Sequence, residues 1–208
     1  MKKLLTFFTV VALTTTVSFA QAQFGATAGL NMANITGGDV DDEWVMKMGM
    51  HFGLSANITL SDNMTLNTGA LYSTKGSQME ESGVEVAINL SYIEIPLNLS
   101  FPVSEQMSLM AGPYIALLMS AEATVKFDAS PAADDVIDIK EDTRSMDYGI
   151  NIGAGFAVTE AFSINAGYQI GLASLDPDGT GVVISDDDDS VKNSNIHIGM
   201  TYSFGGGY

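Results

Sequence analysis

The chain has no cysteine, and only eight Lys and Arg stand against 25 Asp and Glu in 208 residues. Without a thiol there is no disulfide framework, no thiolate nucleophile and no N-terminal cysteine for a bacterial lipid anchor. A formal charge of −17 leaves no basic footprint for nucleic acid, so that class of partner is excluded. Proline is scarce at five, and charged residues make up only 16% of the chain. Hydrophobic residues reach 46% and mean hydropathy is +0.20, which excludes a disordered acidic chain. Beyond the first twenty residues no apolar run approaches the ~20 residues of a spanning helix, so a helical membrane protein is excluded too.

What is present begins with an address. Met1-Lys2-Lys3 is a short basic stretch, Leu4 to Leu13 is apolar, and small residues precede two cleavage points. Residues 1–20 read as a secretory signal peptide cut after Ala20 or Ala22, leaving residues 21–208 as one domain. Loss of Lys2 and Lys3 leaves six basic residues in the mature chain.

The mature sequence alternates with period two. Phe24, Ala26, Ala28, Leu30 and Met32 oppose Gly25, Thr27, Gly29 and Asn31, and the same pattern covers 48–60, 146–158, 162–172 and 195–204. Alternation at this period marks strands with one apolar face. Three further strands are expected at 64–74, 84–99 and 107–121, for a total of eight. Within 84–99 the apolar parity slips between Leu90 and Ile93, which predicts a bulge near Tyr92, close to Pro96. Short connections at 61–63, 102–106 and 159–161 alternate with long ones near 34–46, 76–83, 122–144 and 173–192. That asymmetry predicts an all-β, eight-stranded antiparallel up-and-down transmembrane β-barrel in a Gram-negative outer membrane. The polar face is Gly, Ser, Thr and Asn with few charges, as a filled lumen requires. A secreted soluble barrel that binds a ligand would carry charge on its outside. Phe24, Phe101, Phe156, Phe162, Tyr202 and Phe204 fall at one set of strand ends, Tyr72 and Tyr148 at the other, as two interfacial belts.

Charge placement agrees. Twenty of the 25 acids fall in or beside the long connections, including Asp39, Asp41, Asp42 and Glu43, Asp128 and Asp134, and Asp186 to Asp189. They predict an acidic crown able to bind Ca²⁺ or Mg²⁺ diffusely. Asp176, Asp178 and Asp187 match positions of a calcium-loop template with Gly181 at its sixth place, although Pro177 and Thr180 depart from it. Pro-Asp-Gly is equally a plain turn. Inside the strands, Glu94 and Asp147 are expected to face the lumen, together with Lys47, Lys75, His51 and His197. Buried carboxylates need partners, so a lumen ion-pair and hydrogen-bond network is expected in preference to a proton relay. His51 and His197 lack an evident third metal ligand. Ser55 and Ser203 are available as nucleophiles only among many other serines, so no catalytic or cofactor site is expected.

Several runs are familiar as a set: Tyr92-Ile93-Glu94-Ile95-Pro96-Leu97, Ala111-Gly112-Pro113-Tyr114-Ile115, Tyr72-Ser73-Thr74-Lys75-Gly76, Asp147-Tyr148-Gly149, Gly167 to Leu172, and the ending from Asn195 to Phe204. Across the mature chain they resemble the Bacteroidetes outer-membrane β-barrel family known as PorT-like or porin-family proteins. The resemblance implies an eight-stranded outer-membrane barrel and no particular chemistry. The best-known member of that family contributes to a secretion and gliding apparatus. Family members tend to end on an aromatic closing the last strand. Here Phe204 is followed by Gly205-Gly206-Gly207-Tyr208, so either aromatic could be read by the barrel assembly machinery. The expected function is a non-enzymatic surface-interaction, structural or secretion-accessory module with both termini periplasmic. Its partners would be outer-membrane lipid, the assembly machinery during insertion, and an extracellular or secretion-system component. A small passive pore for ions or solutes is the alternative.

Overall fold

The computed structural model describes residues 22–37, 44–127, 135–175 and 191–204, with only the backbone of Glu81. Residues 1–20, Asp39 to Glu43, Asp128, Asp134, the residues Asp176, Asp178 and Asp187 compared with a calcium loop, the run Asp186 to Asp189, and Tyr208 lie outside the described residues.

The described chain is a single antiparallel sheet of nine strands: β1 (Ala22–Thr36), β2 (Val45–Ser61), β3 (Met64–Glu81), β4 (Val84–Pro102), β5 (Met107–Phe127), β6 (Asp135–Asp138), β7 (Met146–Ala157), β8 (Phe162–Gly171) and β9 (Lys192–Ser203). Eight long strands close into a ring, because β1 pairs with β9 and β4 with β5. Every other ring neighbour is consecutive along the chain, apart from the step over β6. The ninth strand, β6, was not expected. It lies outside the ring and pairs only with Glu122 to Val125 of β5. No helix among the described residues is long and apolar enough to cross a membrane. Closure leaves no lipid-facing edge, and this is what lets strands serve as a membrane wall.

Pleat alternation sorts the side chains. Phe24, Leu30, Met50, Phe52, Leu54, Leu109, Ile152, Ile198 and Met200 are exposed on the outside, while Asn31, His51, Ser73, Asn151, Gln169 and Asn195 are buried inside. The connections 62–63, 103–106 and 158–161 and both described chain ends gather at one rim; the other, the long-connection rim, carries the longer connections together with the β3–β4 turn.

Two expectations are corrected. The stretch 76–83 is not a long loop. The third strand runs to Glu81, and a two-residue turn at Ser82 (φ 51°) and Gly83 (φ 79°) returns the chain as β4. Positive φ at both turn residues matches the twist of a tight hairpin. Nor is the bulge on β4. The β3–β4 register keeps one offset from Thr65↔Ser100 to Glu81↔Val84, interrupted only opposite Ile95 and Pro96. The irregularity faces Tyr92, but the extra residue is Met119 of β5, since Ser91 pairs with Ser120 and Tyr92 with Leu118. Apolar parity slips on β4 for another reason. Ile88, Leu90 and Tyr92 point inward into a greasy section of the lumen, while Ile93, Ile95, Leu97 and Leu99 occupy the outward phase.

Candidate functional site

The lumen has three levels. Nearest the long-connection rim, Ile35, Ile88, Leu90, Tyr92, Tyr114, Leu118, Ile139, Leu175 and Val191 form a buried apolar cap, with Trp44 packed against it. The segment after β6 is drawn over the barrel mouth by backbone bonds: Ile139 donates to Ala121, Arg144 to Leu175, and Leu175 to Val191. Burying these side chains supplies about 1.5–3 kcal/mol each relative to exposure.

Below the cap lies an ionic layer. Lys75 Nζ is 2.9 Å from Glu94 Oε2 and 3.8 Å from Asp147 Oδ2, with its side chain fully buried. It also lies 4.4 Å from the centroid of the Tyr114 ring and 5.7 Å from that of Tyr92. Register explains the meeting: Glu94 and Asp147 both pair with Ala116 of β5, whose small side chain leaves the space between them open. Asp147 Oδ2 accepts from the Tyr114 hydroxyl at 3.2 Å and from Asn193 Nδ2 at 3.1 Å. Glu94 Oε1 accepts from Gln169 Nε2 at 2.6 Å. A Cβ on Gly149 would come within 2.7 Å of the Tyr114 ring, so glycine there makes room for the phenol.

The network then passes from strand to strand. Asn195 Nδ2 donates to Gln169 Oε1 at 3.1 Å and to Asn31 Oδ1 at 3.3 Å, and Asn31 Nδ2 donates to Ser73 Oγ at 3.0 Å. Asn31 also donates to the Thr74 and Met50 carbonyls, so its Oδ1 is the acceptor for His51 Nδ1 at 2.9 Å. That contact orients the imidazole, which meets His197 edge-to-face with 6.0 Å between centroids. Among the described residues no serine hydroxyl is bonded to either histidine, and no cluster of three or more metal-ligating side chains forms.

The third level is a cavity of about 100 Å³ lined by Thr27, Ser55, Asn57, Asn67, Asn98, Asn151, Asn165 and Thr201, with Glu94, His51 and His197 at its ceiling. It shares Asn67, Met110 and Asn165 with a recess of about 180 Å³ at the short-connection rim. Ser55 Oγ and the Oδ1 atoms of Asn67, Asn98 and Asn151 are buried without a protein partner. Space of this size and polarity accommodates several waters.

Of the six side chains expected in the lumen, Glu94, Asp147, Lys75, His51 and His197 are gathered there. Lys47 is not: it lies half-buried in a separate recess with Thr74, Asn89, Ser91 and Glu122. Against β1, Lys47 keeps the phase of His51 (Ala33↔Lys47, Gly29↔His51), but the β2–β3 ladder breaks between Met46 and His51 with one extra residue on β2, and there Lys47 stands apart from the network. Tyr92, Tyr114, Gln169, Asn193 and Asn195 carry much of the network and were not singled out from the sequence. The signal for them was inward parity on their strands.

These levels frame the comparisons with known proteins. The family model for the outer membrane protein β-barrel domain matches residues 19–176. The chain belongs to that family. It is an outer-membrane β-barrel, and its exposed apolar wall and this membership overturn the secreted soluble barrel. Among solved structures, Neisserial surface protein A is 14% identical with a TM-score of 0.52, covering 88% of this chain and 99% of that one. Ail, the attachment invasion locus protein of Yersinia pestis, is 15% identical with a TM-score of 0.45 over the same shares. No curated protein matches the chain.

Proposed function

We propose that this outer-membrane barrel is non-enzymatic and non-conducting, and acts through the surface at its long-connection rim as an interaction, structural or secretion-accessory module. The observation that carries the reading is the cap. Leu90, Tyr92, Tyr114, Ile35, Leu175 and Val191 are each 1% exposed or less, directly above a fully buried ion pair. Water and ions would have to cross both layers. In barrels of this kind short turns are periplasmic, which puts the cap, the projecting β3–β4 hairpin and β6 on the extracellular side. The test is planar-bilayer recording of the refolded protein: a silent membrane supports the reading, and single-channel steps overturn it. A passive pore is the second reading, favoured by the polar cavity that continues to the short-connection rim. It requires those steps to appear, and to grow when the cap is cut back.

The narrower placement among PorT-like proteins of Bacteroidetes rests on the Tyr92-to-Leu97 and Ala111-to-Ile115 runs. Residues 1–20 are proposed as an export signal, which N-terminal sequencing of the mature protein tests. The acidic loop residues are proposed to bind Ca²⁺ or Mg²⁺ loosely. A melting point raised in millimolar Ca²⁺ relative to chelator supports this, and an unchanged one removes it. Crosslinking on intact cells addresses the extracellular or secretion partner.

A further inference from the structure

The outer wall changes character above Tyr72. The Phe52 and Tyr72 rings pack on the outside with 5.4 Å between centroids, and Tyr148 is exposed at the corresponding end of β7. Such aromatics mark the level where acyl chains give way to headgroups. The next outward positions are polar. Ser73↔Tyr92 and Lys75↔Leu90 are pairs of buried, inward residues, so Thr74, Ser91 and Asn89 between and beside them point outward. Glu122 pairs with Asn89 from β5, and Lys47 closes the side toward β2. The result is a recess of about 460 Å³ on the barrel wall, with Met48, Gly49, Lys75 and Leu90 completing its lining.

The contents suit a charged guest and not an acyl chain. Ser91 presents a hydroxyl whose oxygen accepts from Tyr72 at 3.0 Å, while Thr74 Oγ1 is held by Met50, accepting from its N–H at 2.8 Å and donating to its carbonyl at 3.3 Å. Asn89 is held by Thr124 at 3.1 Å. Lys47 is half-buried in the recess and lies within electrostatic range of both Lys126 and Glu85, which pair with each other at 2.8 Å. The chain-wide distribution of cations points the same way. The short connections carry no Lys or Arg, and all six basic residues of the mature chain lie toward the long-connection rim. On a strongly acidic protein, a lysine recessed in the wall at headgroup height is complementary to an anion fixed in the membrane.

We propose that this recess binds the phosphate-bearing headgroup of an outer-leaflet lipid. Lys47 pairs with the phosphate, and the Ser91 hydroxyl and the Asn89 amide donate hydrogen bonds to it. Glu122 takes the cationic part of the headgroup, an amine or a bridging divalent ion. The proposal rests on the long-connection rim being the outer one, and it is independent of whether the lumen conducts.

The test is native mass spectrometry of the refolded barrel in detergent. It is titrated with a bis-phosphorylated glycolipid, with the same lipid dephosphorylated, and with inorganic phosphate. The expected result is saturable one-to-one binding of the phosphorylated lipid alone, weakened about tenfold or more by Lys47→Gln. Ser91→Leu, which fills the recess without removing a charge, should do the same. Heat-modifiable gel mobility checks that each variant is a folded barrel, and a variant that fails it is replaced by the other. Equal binding of the dephosphorylated lipid, or wild-type affinity in both folded variants, overturns the proposal. Binding of inorganic phosphate with equal affinity at this recess overturns the lipid as its ligand.

Discussion

The two ends of the lumen are built on opposite principles. Toward the long-connection rim, inward positions carry Ile35, Ile88, Leu90, Leu118, Leu175 and Val191, packed dry against Tyr92 and Tyr114. Toward the short-connection rim the same ring of strands turns in Thr27, Ser55, Asn57, Asn67, Asn98 and Asn165, with several buried oxygens lacking a protein partner. The difference teaches where cohesion resides. The dry end holds itself by burial and dispersion, whereas the wet end is a hydrogen-bonding surface that water satisfies equally well. The Lys75–Glu94–Asp147 layer sits at the boundary, where a low dielectric strengthens the pairing and also makes an unpaired charge costly.

Each of the following changes breaks or sharpens that contrast, read as the unfolding midpoint of the detergent-folded barrel. The largest effect is expected for Lys75→Met. It strands Glu94 and Asp147 without a cation and should cost about 3–5 kcal/mol. The double variant Lys75→Met with Glu94→Gln should recover part of the loss, and a full-sized loss in both would show that the pairing is not what matters. Next comes the cap: Leu90→Ala or Leu175→Ala should cost about 2–5 kcal/mol, since a dry cavity cannot refill. Smaller is Gly76→Ala, where φ is 146° and a Cβ would press on the Ile88 carbonyl oxygen. About 1–3 kcal/mol is expected. Its counterpart at the wet end, Gly155→Ala, meets only the side-chain ends of Ser108, Asn165 and Met110 at 3.0–3.3 Å, and should be nearly silent. Asn67→Ala in the wet cavity falls between these two glycine variants, at about 0.5–1.5 kcal/mol. A cost at Asn67 equal to that at Leu90 would erase the distinction between the two ends.

Much of this was legible in the chain. Period-two alternation located all eight ring strands, because a one-residue phase error would put Asn and Ser into lipid and so fixes each register. Parity also marked Glu94, Asp147, Lys75 and the two histidines as inward. What escaped it was the length of β3 and β4 beyond the membrane, the strand β6, and the filling of the upper lumen. Val86, Ile88 and Leu90 look like any outward apolar triplet, and nothing local says that Leu175 and Val191, nearly a hundred residues on, will cover them. Lys47 keeps its expected phase against β1 but stands apart from the network, because the extra residue in β2 is a property of its pairing with β3, which the sequence of β2 alone does not display.

Composition and periodicity by themselves determined a closed barrel with a greasy outside and a small-residue inside. Each strand reports its own two faces, and an open edge cannot persist in lipid. Only the assembled structure decided what the inside is. Side chains from β3, β4, β7 and β8, distant in the chain, meet at one height and make the salt-bridged layer. Another set meets one level up and makes the cap, since shear between paired strands sets which residues share a level.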